Sequence, residues 1–450
     1  MGGLGKTTLA QLVYNDELVN EQFKLKMWVH VSEDFDVEKL LRKIMESSTQ
    51  SKFDTLSNFD VLASKVREQL NGKKYLLVLD DLGNERDELW ERLCSPLLVG
   101  AQGSKILITA RKSQVADIVK GIIPPYKLEE LQNEECWCII EKNAFSPGGA
   151  LKTTNMTSIE VEIAKKCGGL PLAAKFLGSL MRTRNKEVDW LSIQENHIWN
   201  TPENENRVIA TLKLSYDDLS SQLKQCFSYC CIFPKGWEID RKTLVRLWMA
   251  EGFLDSCKVV NGRSIEDIGD EYFESLVLSS FLECGIIKNF KMHDLVHHLA
   301  QAVAGDQELV SLKVSEFKNT SEIRRLQLIL DIDLSSTFLR SLTNAKKLRT
   351  LFITEGSKVY PDILLENQHL RVLHIGRSPD WTFPKLPSLS FKLRHLRYLH
   401  LTSLDIREVV NDLFPINKLY NLETLVLHHM IGSIENLPTN IQSLKKIKTS

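Results

Sequence analysis

The chain carries two hydrophobic rhythms. In its first third, short unbroken apolar runs alternate with stretches in which apolar residues return every three or four positions. "KKYLLVLDD" from Lys73 is such a run, ending in Asp80 and Asp81, and "GSKILITAR" from Gly103 and "FKLKMWVHV" from Phe23 are two more. Runs of this length with no polar interruption predict buried parallel strands. Behind the last of them, "DVEKLLRKIME" sets Leu40, Leu41, Ile44 and Met45 on one helical face, and "KTTLAQLVYND" sets Leu9, Leu12 and Val13 on another, with Asn15 and Asp16 as a stop. Strand, helix, strand alternation predicts an α/β domain with a mostly parallel sheet covered on both faces.

The last third repeats itself. "IRRLQL", "LRTLFI", "LRVLHI", "LRYLHL" and "LETLVL" begin at Ile323, Leu348, Leu370, Leu396 and Leu422, at offsets of 25, 22, 26 and 26 residues. That period fits leucine-rich repeats, in which the first, fourth and sixth residues of each unit stack inward. Arg349, Arg371, His374, Arg397, Tyr398 and His400 are then expected on the concave side, where repeat proteins bind partners. "LPTNIQSLKKI" from Leu437 reads as the continuation of one more turn.

Composition narrows the class. A chain of 450 residues with 43% apolar and 26% charged residues is a globular protein of about three domains. The net charge of -1 divides into +5 over residues 301–450 and -6 over residues 1–300, too small a bias for bulk attraction to nucleic acid or membrane. Nine cysteines without disulfide-module spacing predict a reducing, intracellular setting, and Cys226, Cys230 and Cys231 read as core rather than metal ligands. No apolar run reaches the roughly 18 residues of a membrane span.

The chemistry gathers near the start. "MGGLGKTT" supplies Gly3, Gly5, Lys6, Thr7 and Thr8 of a phosphate-binding loop whose first glycine would fall one position before Met1. Such a loop aims helix N-terminal amides at an anion, with Lys6 on the outer phosphates and Thr7 offering its hydroxyl to Mg2+. At the end of "KKYLLVLDD", Asp80 is expected to hold the magnesium and Asp81 to orient an attacking water, and Arg111 at the end of the third run is expected to sense a γ-phosphate.

With these residues in place, the sequence resembles the plant intracellular immune receptors that join an NB-ARC nucleotide-binding module to leucine-rich repeats, in their coiled-coil class. The likeness covers essentially the whole chain, and its motifs follow the family's order. "CGGLPLAAKFLG" from Cys167 is similar to the family's Gly-Leu-Pro-Leu motif, which implies that Pro171 packs near the adenine or its ribose. "CFSYCCIFPKGWEIDRKTLVRLWMAEGF" from Cys226 resembles the segment that the family assigns to a winged-helix domain, here without the dense basic helix of a DNA reader. "MHDLVHHLA" from Met292 matches the Met-His-Asp motif, which implies that His293 contacts the β-phosphate of ADP and that Asp294 supports a closed arrangement.

The resemblance implies a multidomain α/β protein: a P-loop NTPase sheet over residues 1–130 lacking its first strand, a helical domain over 131–204, a winged-helix domain over 205–305 and a partial repeat solenoid over 320–450. Because the family's strand upstream of the loop lies in the middle of the sheet, the strands ending at Asp80 and Thr109 are expected to lose a shared neighbour. The chain therefore reads as a truncated receptor or as one with a misplaced start. Gly83 stands where the class carries Trp, and Ala110 replaces a Thr before Arg111. The implied function is an ADP/ATP-binding, Mg2+-dependent switch in the cytoplasm, at most a slow ATPase, which couples sensing of a pathogen effector or guarded host protein through the repeats to defence, with self-association on activation and no DNA partner. The alternative is a partner-binding repeat remnant with a non-functional nucleotide site.

Overall fold

The computed structural model describes residues 2–31, 35–49, 58–83, 86–119, 121–146, 157–184, 186–200, 204–254, 262–285, 289–305, 308–310, 321–328, 345–353, 367–376, 393–402 and 419–428. The turn expected from Leu437 lies outside them. The chain divides into two compact units, residues 1–215 and 216–450.

In the first unit, strands β1 (Leu25–His30), β2 (Tyr75–Leu82) and β3 (Lys105–Ala110) form a parallel sheet in the order β1-β2-β3. The two faces of β2 part by alternation. Leu77 and Leu79 pack with Met27 and Val29 against Leu40, Leu41 and Ile44 of helix Val37–Thr49 and Leu62 and Val66 of helix Phe59–Leu70. Leu76 and Val78 face the other way, against Ala10 of helix Lys6–Asn15 with Tyr14, Phe23, Trp28 and Leu107 around them. A strand buried on both faces needs no polar alternation, which is why β2 reads as an unbroken apolar run.

The sheet and the first helix differ from what their sequence patterns predict. The strands ending at Asp80 and Thr109 lose no shared neighbour: β2 and β3 pair directly, from Leu76↔Lys105 to Leu79↔Ile108, and β1 takes the other edge of β2, from Leu25↔Tyr75 to His30↔Asp80. Both rows of hydrogen-bonding groups on β2 are thus occupied. The helix after the loop also turns differently. It buries Ala10, whose small side chain permits close approach to Leu76 and Val78, and leaves Leu9, Leu12 and Val13 exposed.

Beyond the sheet, helix Asn133–Ala144 lies against helix Pro171–Thr183. Gly178 makes this approach possible, since a Cβ there would stand 2.8 Å from both Asn143 Cβ and Ile140 O. Gly178→Ala should therefore force the helices apart and cost about 1–3 kcal/mol despite its better helix propensity, read as a lowered urea midpoint. An unchanged or raised midpoint would contradict this packing.

The second unit begins with helices Ser221–Tyr229, Arg241–Glu251, Ile265–Leu278 and Asp294–Ala304 and a short antiparallel pair, β4 (Glu283–Cys284) with β5 (Phe290–Lys291). Phe227 and Phe281 meet at 4.5 Å between ring centroids, and Trp248 Nε1 donates to Cys226 O at 3.1 Å. Cys226, Cys230 and Cys231 are buried in this core, and burial pushes the Cys231 thiol up to about 12.

Six parallel strands follow: β6 (Glu308–Val310), β7 (Arg325–Leu328), β8 (Thr350–Ile353), β9 (Val372–Ile375), β10 (Tyr398–Thr402) and β11 (Thr424–His428), each beside the next. The five repeated sequence units each supply one strand, and β6 precedes them. Leu326, Leu328, Leu351, Ile353, Leu373, Ile375, Leu399 and Leu401 are buried as their spacing predicts.

The opposite side of this sheet is not the open surface expected. Tyr398 is fully buried, and desolvation pushes the pKa of the partly buried His374 well down. The cause is the chain's own four-helix segment: Phe233 packs edge-on to Phe352 at 5.6 Å, Tyr229 Oη lies 3.3 Å from Thr350 Oγ1, and helix Arg241–Glu251 contacts β9 and β10. Arg349, Arg371, Arg397 and His400 remain half-buried.

At the centre of this contact Glu251 is buried. It accepts from Thr350 Oγ1, and Arg325 Nε lies 3.5 Å from its Oε1. The Arg325 guanidinium also stacks over Phe253 at 4.9 Å and Tyr229 at 5.3 Å.

Candidate functional site

The loop takes its shape from its glycines. Gly3 and Gly5 have φ of 80° and 87°, in the left-handed region that residues with a Cβ enter only at a cost. Gly5 thereby turns the chain directly into helix Lys6–Asn15, so Lys6 and Thr7 open the first turn. The amides of a first helical turn have no carbonyl four residues back, and the dipole adds partial positive charge there. Burial lowers the Lys6 pKa; the Asp81 carboxylate opposes that shift, the Arg111 cation adds to it, and the Asp80 carboxylate opposes it more weakly.

The two acids end β2 in different surroundings. Asp80 is buried, and its Oδ1 accepts from Thr7 Oγ1 at 2.8 Å and from Thr109 Oγ1 at 2.7 Å, while its Oδ2 stands 3.6 Å from His30 Nδ1. Burial alone would raise the Asp80 pKa, but contacts with His30, Thr109 and Thr7 outweigh it and hold the carboxyl below its ordinary 3.8. Asp81 has a φ of 63°, an uncommon conformation for a residue with a Cβ. Its N–H donates to Thr109 Oγ1 at 2.8 Å, which helps fix that turn. Its carboxylate takes Arg111 bidentately, Nε at 2.9 Å and Nη2 at 2.6 Å.

Thr109 and His30 are the residues that reading the sequence missed. They lie at the ends of β3 and β1 beside Asp80, and His30 is its register partner. The available signal was a polar residue closing an otherwise apolar strand. Thr109 serves both acids at once, as donor to Asp80 and acceptor for the Asp81 amide. Thr109→Val should cost about 1–3 kcal/mol of stability near neutral pH. A depressed carboxyl stabilises the fold above its unfolded pKa and loses that contribution as pH falls through the folded value. The cost of Thr109→Val is therefore full above pH 3.8 and shrinks below it. Denaturant midpoints of both proteins between pH 3 and 7 test this; a pH-independent difference would remove Asp80 as its cause.

Pro171 reaches the same place from the helical side. Gly168 and Gly169 have φ of 57° and 70°, and a Cβ on Gly169 would meet Glu130 Cβ at 2.5 Å, so the turn before Pro171 requires glycine. Pro171 then starts its helix, with Leu172 N–H donating to Gly3 O at 3.3 Å and Pro171 Cγ 3.9 Å from where a Cβ on Gly5 would lie. The first unit thus brings together Gly3, Gly5, Lys6, Thr7, Asp80, Asp81, Arg111 and Pro171, with Thr8 exposed on the helix. His293 belongs to the second unit, where it caps helix Asp294–Ala304, its Nδ1 accepting from Leu295 N–H at 3.2 Å.

A glycine-turned helix N-terminus, a lysine at its first position and two acids closing the neighbouring central strand define a P-loop NTPase fold. Residues 1–148 match the NB-ARC domain, and residues 232–300 match the disease resistance protein winged helix domain. Among similar proteins are disease resistance protein RGA2 of Solanum bulbocastanum, 39% identical over 88% of this chain and 38% of that protein, and putative disease resistance protein RGA4 of the same species, 41% identical over 72% of this chain and 33% of that protein. Putative disease resistance RPP13-like protein 1 of Arabidopsis thaliana is 35% identical over 95% of this chain and 41% of that protein. The chain belongs to the NB-ARC disease resistance proteins of plants, and it spans about a third to two fifths of the length of these relatives. Among solved structures, the Aeropyrum pernix ORC2 protein in its ADP form aligns with 67% of this chain and 84% of its own at 16% identity, with a TM-score of 0.32.

Proposed function

We propose that this chain is the nucleotide-gated switch of a plant intracellular immune receptor, held closed by ADP and opened by exchange for ATP. The observation that carries the reading is the meeting of Lys6 and Thr7 with Asp80, Asp81 and Arg111 beyond the carboxyl ends of β1, β2 and β3, where ligands of open α/β sheets bind.

In this reading Gly3 and Gly5 leave room for the phosphates, Lys6 pairs with the outer ones, Thr8 borders the loop and Pro171 lies against the base or ribose. Thr7 and Asp80 supply a hydroxyl and a carboxylate, the hard oxygen donors that Mg2+ prefers, and the cation would neutralise phosphate charge there. Asp81 and Arg111 form a latch: a γ-phosphate competes for the guanidinium, which frees the Asp81 carboxylate to orient water. His293 reads the β-phosphate of ADP. A ligand shifts such an equilibrium only by its unequal contacts with the two states, and His293 and Arg111 are the residues assigned to that difference.

The four-part division at residues 1–130, 131–204, 205–305 and 320–450 belongs to this reading, as do an intracellular location, an effector or guarded host protein met through the repeats, and self-association on activation. Among the described residues no helix is long and apolar enough to cross a membrane.

Calorimetric titration of the full chain with ADP and with ATP, each with and without Mg2+, tests the switch. His293→Ala should weaken ADP about tenfold and leave ATP within about twofold, as the loss of one charge-assisted hydrogen bond predicts. Equal losses for both nucleotides would contradict gating by His293.

A further inference from the structure

The repeats place Arg324, Arg349, Arg371 and Arg397 at the second position of successive units, just before β7, β8, β9 and β10. Backbone bonds join them in a row: Arg349 N–H donates to Arg324 O at 2.6 Å, Arg371 N–H to Arg349 O at 2.7 Å, and Arg397 N–H to Arg371 O at 2.8 Å. Neighbouring strands lie about 4.8 Å apart, so the four side chains leave one end of the sheet at that interval. Like charges in directly opposed positions destabilise a sheet. A column of four is therefore a cost that packing does not explain.

The described neighbours offset only part of it. Arg371 Nη1 donates to Glu251 O at the C-terminus of helix Arg241–Glu251. Burial lowers the Arg371 pKa and the Arg349 cation adds to that shift; Glu251 opposes both, and the Arg397 and Arg325 cations reinforce them. Arg397 Nη1 stands 3.9 Å from Glu423 Oε1, with its side chain 38% exposed. The half-buried Arg349 side chain makes no hydrogen bond or ion pair with the described residues.

We propose that this arginine column binds a small anion carrying several phosphate groups, with Arg349 and Arg397 as its principal ligands on either side of Arg371. The guanidinium fork accommodates phosphate bidentately, and its cation is never lost at physiological pH. Arg349 and Arg397 leave the sheet two strand intervals apart, about 9.6 Å, with Arg371 between them, a span that two long arginine side chains can close around phosphates borne on one compact molecule. The seat is built from residues of the second unit and the Lys6 loop from residues of the first, so the inference does not rest on the nucleotide reading.

The test uses the full chain carrying Lys6→Ala, which removes the loop lysine as a phosphate ligand, and inorganic tripolyphosphate as the probe, followed by calorimetry and thermal melting. Tripolyphosphate should bind and raise Tm, and Arg349→Gln with Arg397→Gln should weaken it at least tenfold. Without the anion the same pair of substitutions should raise Tm, because it removes like-charge repulsion; a purely structural column would show a loss in both conditions. Arg397→Gln alone gives the same readout should the pair fold poorly. Tripolyphosphate affinity unchanged by the glutamines would overturn the proposal. So would a poly-glutamate peptide binding as tightly with the same dependence on Arg349 and Arg397, which would assign the column to an acidic protein partner.

Discussion

Arg325→Leu is expected to cost about 3–5 kcal/mol of stability, the largest effect of any substitution considered for the second unit. The reason is Glu251. Its side chain is 0% exposed, and Arg325 is its ion-pair partner at 3.5 Å. Removing one member of a buried pair leaves a carboxylate that has given up its hydration without compensation. Replacing both members removes the charge with the cation, so Arg325→Leu together with Glu251→Leu should recover most of the loss. Thr350, donor to the same carboxylate, would then be left with Tyr229, 3.3 Å away. Urea denaturation, with hydrogen exchange at β7 and β8 to localise the effect, measures both variants. A single-variant cost below about 1 kcal/mol would mean that the pair does not fasten helix Arg241–Glu251 to the repeat strands.

The second large effect concerns nucleotide. Lys6→Ala is expected to weaken binding of ADP and ATP about 10- to 100-fold, since a charge-assisted hydrogen bond contributes about 1.5–3 kcal/mol and each 1.4 kcal/mol is tenfold. Lys6 sits at the first position of the loop helix beside Asp81, Arg111 and Asp80. Truncation deletes the lysine cation of the loop while leaving Asp80 bonded to Thr7 and Thr109, so the fold should persist and the loss should be confined to binding. Because burial lowers the Lys6 pKa, wild-type affinity should also fall as pH rises through that lowered value, and the variant should lack this alkaline limb. Calorimetry at a series of pH values checks both parts. Equal affinity in the two proteins would detach Lys6 from the phosphates.

Much of this architecture was legible in the sequence, for identifiable reasons. A central parallel strand must be apolar on both faces, so β2 announced itself, and the two acids closing it marked the sheet's functional edge. The repeat period was equally plain, because one Leu/Ile pattern serves each strand from β7 to β11. What stayed hidden depended on contacts between distant segments. His30 and Thr109 gain their roles only from register, which sets them beside Asp80. The helix after the loop buries Ala10 rather than its larger apolar residues, because closeness to Leu76 and Val78 favours the smallest side chain. Most consequentially, "LR" dipeptides identify the repeat strands but say nothing of what lies over them. Helix Arg241–Glu251 and Phe233 cover Thr350, Phe352 and Tyr398, and no local pattern foretold that. The same contact took Tyr398, expected on the partner surface, into core and left the arginines half-buried at its border.

In the proposed function the Lys6 loop, Asp80 and Pro171 form a working nucleotide site. The most direct measurement is to purify the full chain, denature it and identify released nucleotide by chromatography, with Lys6→Ala in parallel. Close to one equivalent of ADP is expected from the wild type and little from the variant. A folded wild-type sample that releases none, and that takes up no added ADP, would contradict it.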